Sequence, residues 1–286
     1  MLSIITCNYN PKRIELLKNN IGSKIGLDVF ELIVIDNSSN SKSIFQAYND
    51  GAGIAKFEKL LFLHDDVEFV TEDFGKILLE MNLPNLGVLG IAGSILKTNT
   101  PSPWWVSNYH SLPKGIVFQY NIQHYSNRVP EKVELGFINE DEIKEILLVD
   151  GVLMYTTKKN WKKYPFDDTN FNSFHFYDLD FSLGMHKIGK TNYVTNKILI
   201  EHFSSGSLNK EWVKSSRSFA VKWPKIIHIG NLKKKDLIMF EKWAVESRIN
   251  ILFENKMIID AIKLMFREFH FKKKSLKMLV KSYFFK

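Results

Sequence analysis

The first 95 residues alternate short β-branched runs with segments of helical period, and that alternation limits what the chain can fold into. "LSIITCNY" and "ELIVIDN" end in polar residues and enclose "NPKRIELLKNN", so the opening reads strand, helix, strand. A helix in "SKSIFQAYNDG", a strand in "KLLFLH", a helix in "TEDFGKILLEM" with Thr71 as its N-cap, and a strand in "GVLGIAGS" follow. Strands joined through helices in this way predict an α/β fold with a central, mostly parallel sheet and right-handed crossovers. Such sheets bind ligands at the carboxyl ends of their strands. The polar groups at those ends are Asn8 and Asn10, Asp36 and Asn37, and His64, Asp65 and Asp66, which should line one edge.

Beyond this region, "KTNTPSPWWVSNYHSLPKG" reads as a long loop, followed by strands in "GIVFQYN" and "EILLVDGVLMYTT". "HFYDLDFSLGMHKIG" places Phe181, Met185 and Ile188 at helical spacing, with Asp178 and Asp180 in the first turn and Gly189 as the stop. "TNYVTNKILIEHF" reads as one strand ending at Glu201 and His202, and the chain from about Leu208 reads as helical. With 286 residues, 45% of them hydrophobic, the chain can bury a sizeable core. No apolar run approaches the ~18 residues of a spanning helix, and no basic segment precedes the apolar N-terminus, so the expected location is cytoplasmic. Cys7 is the only cysteine, which excludes an internal disulfide, and its apolar neighbours make it a core residue.

A net charge of +8 suits nucleic acid, an anionic membrane face or a phosphorylated substrate. Lys272 to Lys274, Lys277, Lys281 and Lys286 crowd the end of the chain between Phe269, Phe271, Leu276, Leu279 and Phe284. That pattern is one of a basic amphipathic tail on an anionic bilayer, and equally one of a terminal helix packed on the core with solvated lysines. No nucleic-acid module accompanies it, so nucleic acid is not an expected partner.

A divalent cation that must also hold a diphosphate takes carboxylate oxygens and few protein ligands. "HDD" at a strand end offers such a site, although adjacent aspartates after an apolar run also serve to cap a following helix. Neither GxxxxGK[ST] nor GxGxxG occurs, which leaves a metal as the natural means of holding phosphates.

Taken in order, "SIITCNYN", "LIVIDNSS", "AYNDGAGIAKFEKLLFLHDDVEF", "LLVDGVLMYTT", "FYDLDFSLGMHKIG" and "IEHFSSGS" resemble family 2-type glycosyltransferases of the GT-A fold, closest to the bacterial branch in which the D-x-D motif appears as H-x-D. The resemblance implies a Rossmann-like GT-A sandwich over 1–207, with a nucleotide-binding half over 1–95 and an acceptor half over 96–207, and a helical, basic extension over 208–286. It implies that Thr6, Asn8 and Asp36 hold the nucleotide, with the Asp36 carboxylate accepting from the base. Asp66 takes the metal-contact position, Asp65 faces the donor's ribose or sugar, and His64 stands where an aspartate is commoner. Asp178 takes the place of the catalytic base, with Asp180 as second candidate and Tyr177 in place of the usual glutamate. A base of this kind must be ionised at neutral pH, and a helix N-terminus is expected to keep Asp178 so. His202 matches a late histidine on the metal or diphosphate, and Asp150 and Gly151 match a segment beneath the donor sugar. Trp104, Trp105 and Tyr109 are candidates for stacking on the acceptor, or for a core lid.

The function this implies is metal-dependent transfer, with Mn2+ or Mg2+, of a sugar from a nucleotide diphosphate sugar, UDP favoured, to a hydroxyl of a glycan or lipid-linked glycan acceptor. Inversion at the anomeric carbon, a role in lipopolysaccharide or capsule synthesis, and peripheral membrane contact through the basic tail belong to the same expectation. A sugar-phosphate nucleotidyltransferase is the alternative enzyme, opposed by "CNYNPKR" where that class needs a glycine-rich phosphate loop. A non-catalytic sugar- or nucleotide-binding module is the other alternative, suggested by His64 and Tyr177 in place of acids.

Overall fold

The computed structural model describes residues 1–106, 113–137, 139, 141–204 and 206–269. In chain order the elements are β1 (Leu2–Asn8), α1 (Pro11–Lys24), β2 (Phe30–Asp36), α2 (Ile44–Ile54), β3 (Lys59–Leu63), β4 (Val67–Phe69), α3 (Phe74–Glu80), β5 (Leu86–Gly90), β6 (Ala92–Ser94), β7 (Leu96–Lys97), β8 (Val117–Gln123), β9 (Glu131–Leu135), β10 (Ile143–Ile146), β11 (Leu148–Val149), β12 (Leu153–Thr157), α4 (Lys158–Lys163), α5 (Tyr177–Lys187), β13 (Thr191–Thr195), β14 (Ile200–His202), α6 (Lys210–Lys222), β15 (Ile227–His228), α7 (Lys234–Glu254) and α8 (Ile258–Phe269).

A seven-stranded sheet runs in the order β10-β13-β5-β12-β3-β1-β2. Strands β2, β1, β3, β5 and β13 point one way and β12 and β10 the other, so the sheet is mostly parallel as expected. The strand β12, placed between β3 and β5, is the departure from a simple alternating wind. Alternation along β1 sends Leu2 and Ile4 into one core, with Ile14, Leu17 and Ile21 of α1 and Phe74 and Leu78 of α3. Ile5 and Cys7 face the other core, with Phe45 and Tyr48 of α2 and Phe181 and Met185 of α5. Both faces of β3 are therefore covered, which is why "LLFL" is continuously apolar.

A second sheet, β11-β6-β8-β14-β4 with β9 on β8, is built from strands that leave the first sheet mid-run. "GVLGIAGS" breaks at Ile91, so that β5 lies in one sheet and β6 in the other. "TNYVTNKILIEHF" likewise divides into β13 and β14. The helix expected from Thr71 begins at Phe74, because the Thr71 hydroxyl accepts from Leu199 N at 2.8 Å and anchors β14 instead of capping α3. Helices follow Leu208 as expected, interrupted by β15, which pairs with β7. In α6, Trp212 and Phe219 enclose Phe176 at ring distances of 5.1 and 4.8 Å, packing the start of this region onto α5. No helix among the described residues is long and apolar enough to cross a membrane. The lysine-rich stretch after residue 269 lies outside the described residues.

Candidate active site

The candidate residues sit where the chain passes between the two sheets. Residues His64 to Asp66 link β3 of the first sheet to β4 of the second, and Asp150 to Val152 link β11 of the second to β12 of the first. The two links are tied by His64 N donating to Val152 O at 3.2 Å. Strand β14 pairs with β4 so that His202 stands opposite Val67, and Phe203 N donates to Asp66 O at 2.9 Å. This pairing brings a residue late in the chain onto the aspartate pair.

Side-chain nitrogens of His64 and His202 and a carboxylate oxygen of Asp66 lie within 4.8 Å of one another. His202 Nε2 is 3.5 Å from Asp66 Oδ1 and His64 Nδ1 is 3.7 Å from it. Asp66 Oδ1 and His202 Nε2 are buried and have no hydrogen-bond partner. The tautomer of His202 follows from its neighbour. Both donors of the Gln123 amide are directed to carbonyls, those of His202 and Ser204, which leaves its Oε1 as an acceptor 3.2 Å from His202 Nδ1. Nδ1 then carries the hydrogen, and Nε2 turns a lone pair toward the Asp66 carboxylate. Two electron-rich atoms facing each other without a hydrogen fit a cation between them. His64 Nε2 lies 2.5 Å from the Tyr177 hydroxyl, which can accept its hydrogen and so leave Nδ1 to ligate. Burial pushes the His64 pKa down, which keeps the imidazole neutral and able to ligate. Burial alone would raise the Asp66 carboxyl, but His202 and then His64, when they carry a proton, together with Arg13 outweigh it and hold it at about 2, so the ionised carboxylate calls for a positive partner in this gap, an imidazolium or a cation. The residues present therefore fit a divalent cation.

Asp178 opens α5 and lines a cavity of about 190 Å³ together with His64, Asp66, Asp150, Trp105 and His202. Its carboxylate accepts from Leu179 N at 2.9 Å and Gly151 N at 3.1 Å. The helix N-terminus was expected to keep it ionised. Burial, and then the nearby Asp150 carboxylate, outweigh those two donors and raise its pKa to about 7. The residue before the helix, Phe176, has φ 72°, a left-handed conformation costly for a bulky side chain and held by the Trp212 and Phe219 rings. Asp180, the second candidate base, is fully buried. Its oxygens take Lys222 Nζ at 2.8 and 2.9 Å and Trp223 Nε1 at 2.8 Å, so it anchors α6 and does not line the cavity.

A separate cavity of about 180 Å³ meets the first at His64 and Asp66 and is lined by Cys7, Tyr9, Arg13, Tyr48 and Asp65. Asp65 turns into it, accepting from Asn8 Nδ2 at 3.0 Å and Tyr9 N at 3.1 Å. Arg13 Nη1 stands 3.4 Å from Asp66 and 3.8 Å from Asp65. The Tyr48 hydroxyl is buried without a partner. Alternation along β1 sends Cys7 and Tyr9 to this side, while Thr6 is buried in the sheet on the opposite face and Asn8 acts by orienting Asp65. Asp36 lies beside Asn8 in the β1–β2 register, exposed, and accepts from Ser38 N at 2.9 Å. Gly151 N holds Asp178, and Asp150 accepts from Trp104 Nε1 at 2.5 Å and Val152 N at 2.8 Å. Trp104 is buried, donates to Asp150 and still contributes to the wall of the Asp178 cavity. Trp105 lines the cavity, and Tyr109 lies outside the described residues. Reading by element ends did not single out Gln123, Arg13 or Tyr48. The period-two polar residues in "FQYNIQ" were the available signal for Gln123.

Residues 3–223 match the model of a family described as glycosyltransferase like, which extends past residue 207 through α6. Among solved structures, the mannosyltransferase PcManGT from Pyrobaculum calidifontis, in complex with GDP-Man and Mn2+, is similar at a TM-score of 0.54 and 11% identity, over 98% of this chain and 79% of that one. GalNAc-T7, solved with UDP, GalNAc and Mn2+, is similar at a TM-score of 0.48 and 9% identity, over 71% of this chain. This chain spans 43% of that protein's length. A search of curated proteins finds no match.

Proposed function

This chain belongs to the glycosyltransferase-like family and has the GT-A fold, and from that premise we propose that it moves a sugar from a nucleotide diphosphate sugar to a hydroxyl of a glycan acceptor with inversion. The observation that carries the reading is the gap between Asp66 Oδ1, His202 Nε2 and His64 Nδ1, where two buried electron-rich atoms lack partners. These three residues would hold the cation, H-x-D supplying two of them, and two imidazole nitrogens favour Mn2+ over the oxygen-seeking Mg2+. When bound, the cation would offset the charge of the departing diphosphate.

The chain's own residues supply the rest. The cavity of Cys7, Tyr9 and Tyr48 suits the nucleoside end of the donor, and Arg13 at its mouth can pair with phosphate oxygens. The exposed Asp36 carboxylate can accept a ring N–H of a base, which uracil and guanine carry and adenine and cytosine lack, in keeping with a UDP sugar. Asp178 takes the acceptor hydroxyl's proton as that oxygen bonds to the anomeric carbon, whose bond to the diphosphate breaks with its electron pair. A pKa near 7 suits this role, because a base works best when its pKa lies near the working pH. Gly151 N and Leu179 N fix the carboxylate's direction.

The test is calorimetric titration of nucleoside diphosphate sugars with and without Mn2+ on the wild type and on Asp66→Ala. Mn2+-dependent binding of one nucleotide class, lost in the variant, is the expected result. Binding that ignores both the metal and the substitution would overturn the reading.

A further inference from the structure

We propose that the face of β8 carrying Gln119, Asn121 and Gln123 is a subsite for a neutral sugar ring of the acceptor. The proposal rests on the transferase reading above and adds to it the location and chemistry of the acceptor. The three amides follow at every second residue and so project from one face of the strand. They line a cavity of about 240 Å³ with Trp105 and Tyr125. Asn121 and Gln123 are only 3% and 6% exposed, so these amides belong to a built wall and not to a solvated surface.

The amides form a directed chain. Gln119 Nε2 donates to Asn121 Oδ1 at 2.8 Å, and Asn121 Nδ2 donates to Gln123 Oε1 at 3.1 Å. Gln123 is then saturated, with two donors on carbonyls and its oxygen shared by Asn121 and His202. Gln119 and Asn121 each keep a spare N–H, and Gln119 keeps a carbonyl oxygen. Spare neutral donors and acceptors beside two aromatic rings suit hydroxyls and the C–H face of a sugar. No lysine or arginine lines the cavity among the described residues, and its one carboxylate, Asp150, disfavours an anion.

Position separates this sugar from the donor. The cavity shares Asp150, Trp105 and His202 with that of Asp178, whereas the Cys7 and Tyr48 cavity shares only His64, Asp66 and Phe174 with it. A ring on β8 therefore approaches Asp178 from the side away from Tyr48. The amide chain also ends on His202, so the acceptor wall and the metal ligand are one hydrogen-bonded unit.

Saturation-transfer NMR tests this with the methyl glycosides of glucose, galactose, mannose and N-acetylglucosamine, and methyl glucuronide. The samples contain the wild type, Gln119→Leu or Tyr125→Ala, each with UDP or GDP and diamagnetic Mg2+. The expected result is that a neutral glycoside binds the wild type in preference to the uronide and binds Gln119→Leu roughly tenfold more weakly, with nucleotide binding unchanged. Tyr125→Ala, at the rim, should weaken the same glycoside and guards against a packing defect in Gln119→Leu. No neutral glycoside bound by the wild type, or wild-type affinity retained in both variants, overturns the subsite. If nucleotide binding persists in that case, the transferase reading stands and this inference alone falls. Absence of nucleotide binding in the wild type removes both.

Discussion

The Tyr177 hydroxyl lies 1.9 Å from where a Cβ on residue 151 would stand, and that same hydroxyl sits 2.5 Å from His64 Nε2. Gly151 is thus the residue whose lack of a side chain lets Tyr177 reach the histidine. Gly151→Ala should lower the melting temperature, since the ring cannot yield without leaving the packed aromatic group of Phe45 and Tyr48. Tyr177→Phe, which keeps that packing, should leave the melting temperature nearly unchanged and weaken Mn2+ binding by about tenfold or more. Calorimetric Mn2+ titration checks this, and an unaltered affinity would refute the orienting role of the hydroxyl.

His202→Ala removes a proposed ligand, whereas Gln123→Leu keeps the ligand and removes the group that sets its tautomer, along with that amide's bonds to the His202 and Ser204 carbonyls. The alanine variant should lose more Mn2+ affinity than the leucine variant, and both should bind less than the wild type. Electron paramagnetic resonance of free Mn2+ measures the order. Equal, unaltered affinity in both would place the cation elsewhere.

Asp178 has a folded-state pKa of about 7 against an ordinary 3.8. A raised carboxyl contributes stability that is present below the ordinary carboxylate range and lost as pH rises through about 7, because the buried anion is disfavoured. Asp178→Asn should therefore match the wild type at about pH 4 and exceed it in melting temperature at about pH 8, while abolishing transfer. Parallel melting curves at the two pH values decide the point. A variant no more stable at the higher pH would mean that the wild-type carboxyl is not strained there.

Lys222 pairs with Asp167 at 2.5 Å and with the fully buried Asp180. Lys222→Met leaves Asp180 as an uncompensated buried charge and should cost about 3–5 kcal/mol. Lys222→Met combined with Asp180→Leu should recover much of that loss. Denaturant titration of the single and double variants reads both numbers, and a harmless single variant would sink the account of Asp180 as an anchor.

Much of the site could be read from residues at the ends of apolar runs. His64 and Asp66 were identifiable because they end an apolar run, and such boundaries are local, whereas the roles of Asp178 and His202 came from the resemblance of the motifs around them. The phase of β1 was harder, since "SIITCNY" is buried on both faces and offers no polar alternation to tell Thr6 from Cys7. Gly90 before Ile91 and Asn196 after β13 signal bends at the two breaks, but a bend does not announce a change of sheet, because partner strands decide it. The role of Gln123 depends on a histidine 79 residues away, and an amide's role is set by its partner alone. The pKa of Asp178 was misjudged for a related reason: helix position is a local property, whereas burial and the proximity of Asp150 arise only on folding.

The passages between sheets have a consequence for assembly. Residues 64–66, 150–152 and 202 converge only after β4, β12 and β14 have all found their partners, so His64 and Asp66, close in the chain, meet His202 only through pairing across more than a hundred residues. Loop closure over such separations is slow, and it comes late. The proposed metal and nucleotide would thus recognise only the completed molecule, and their binding would act as a latch that raises the melting point with the logarithm of ligand excess while leaving early folding steps untouched.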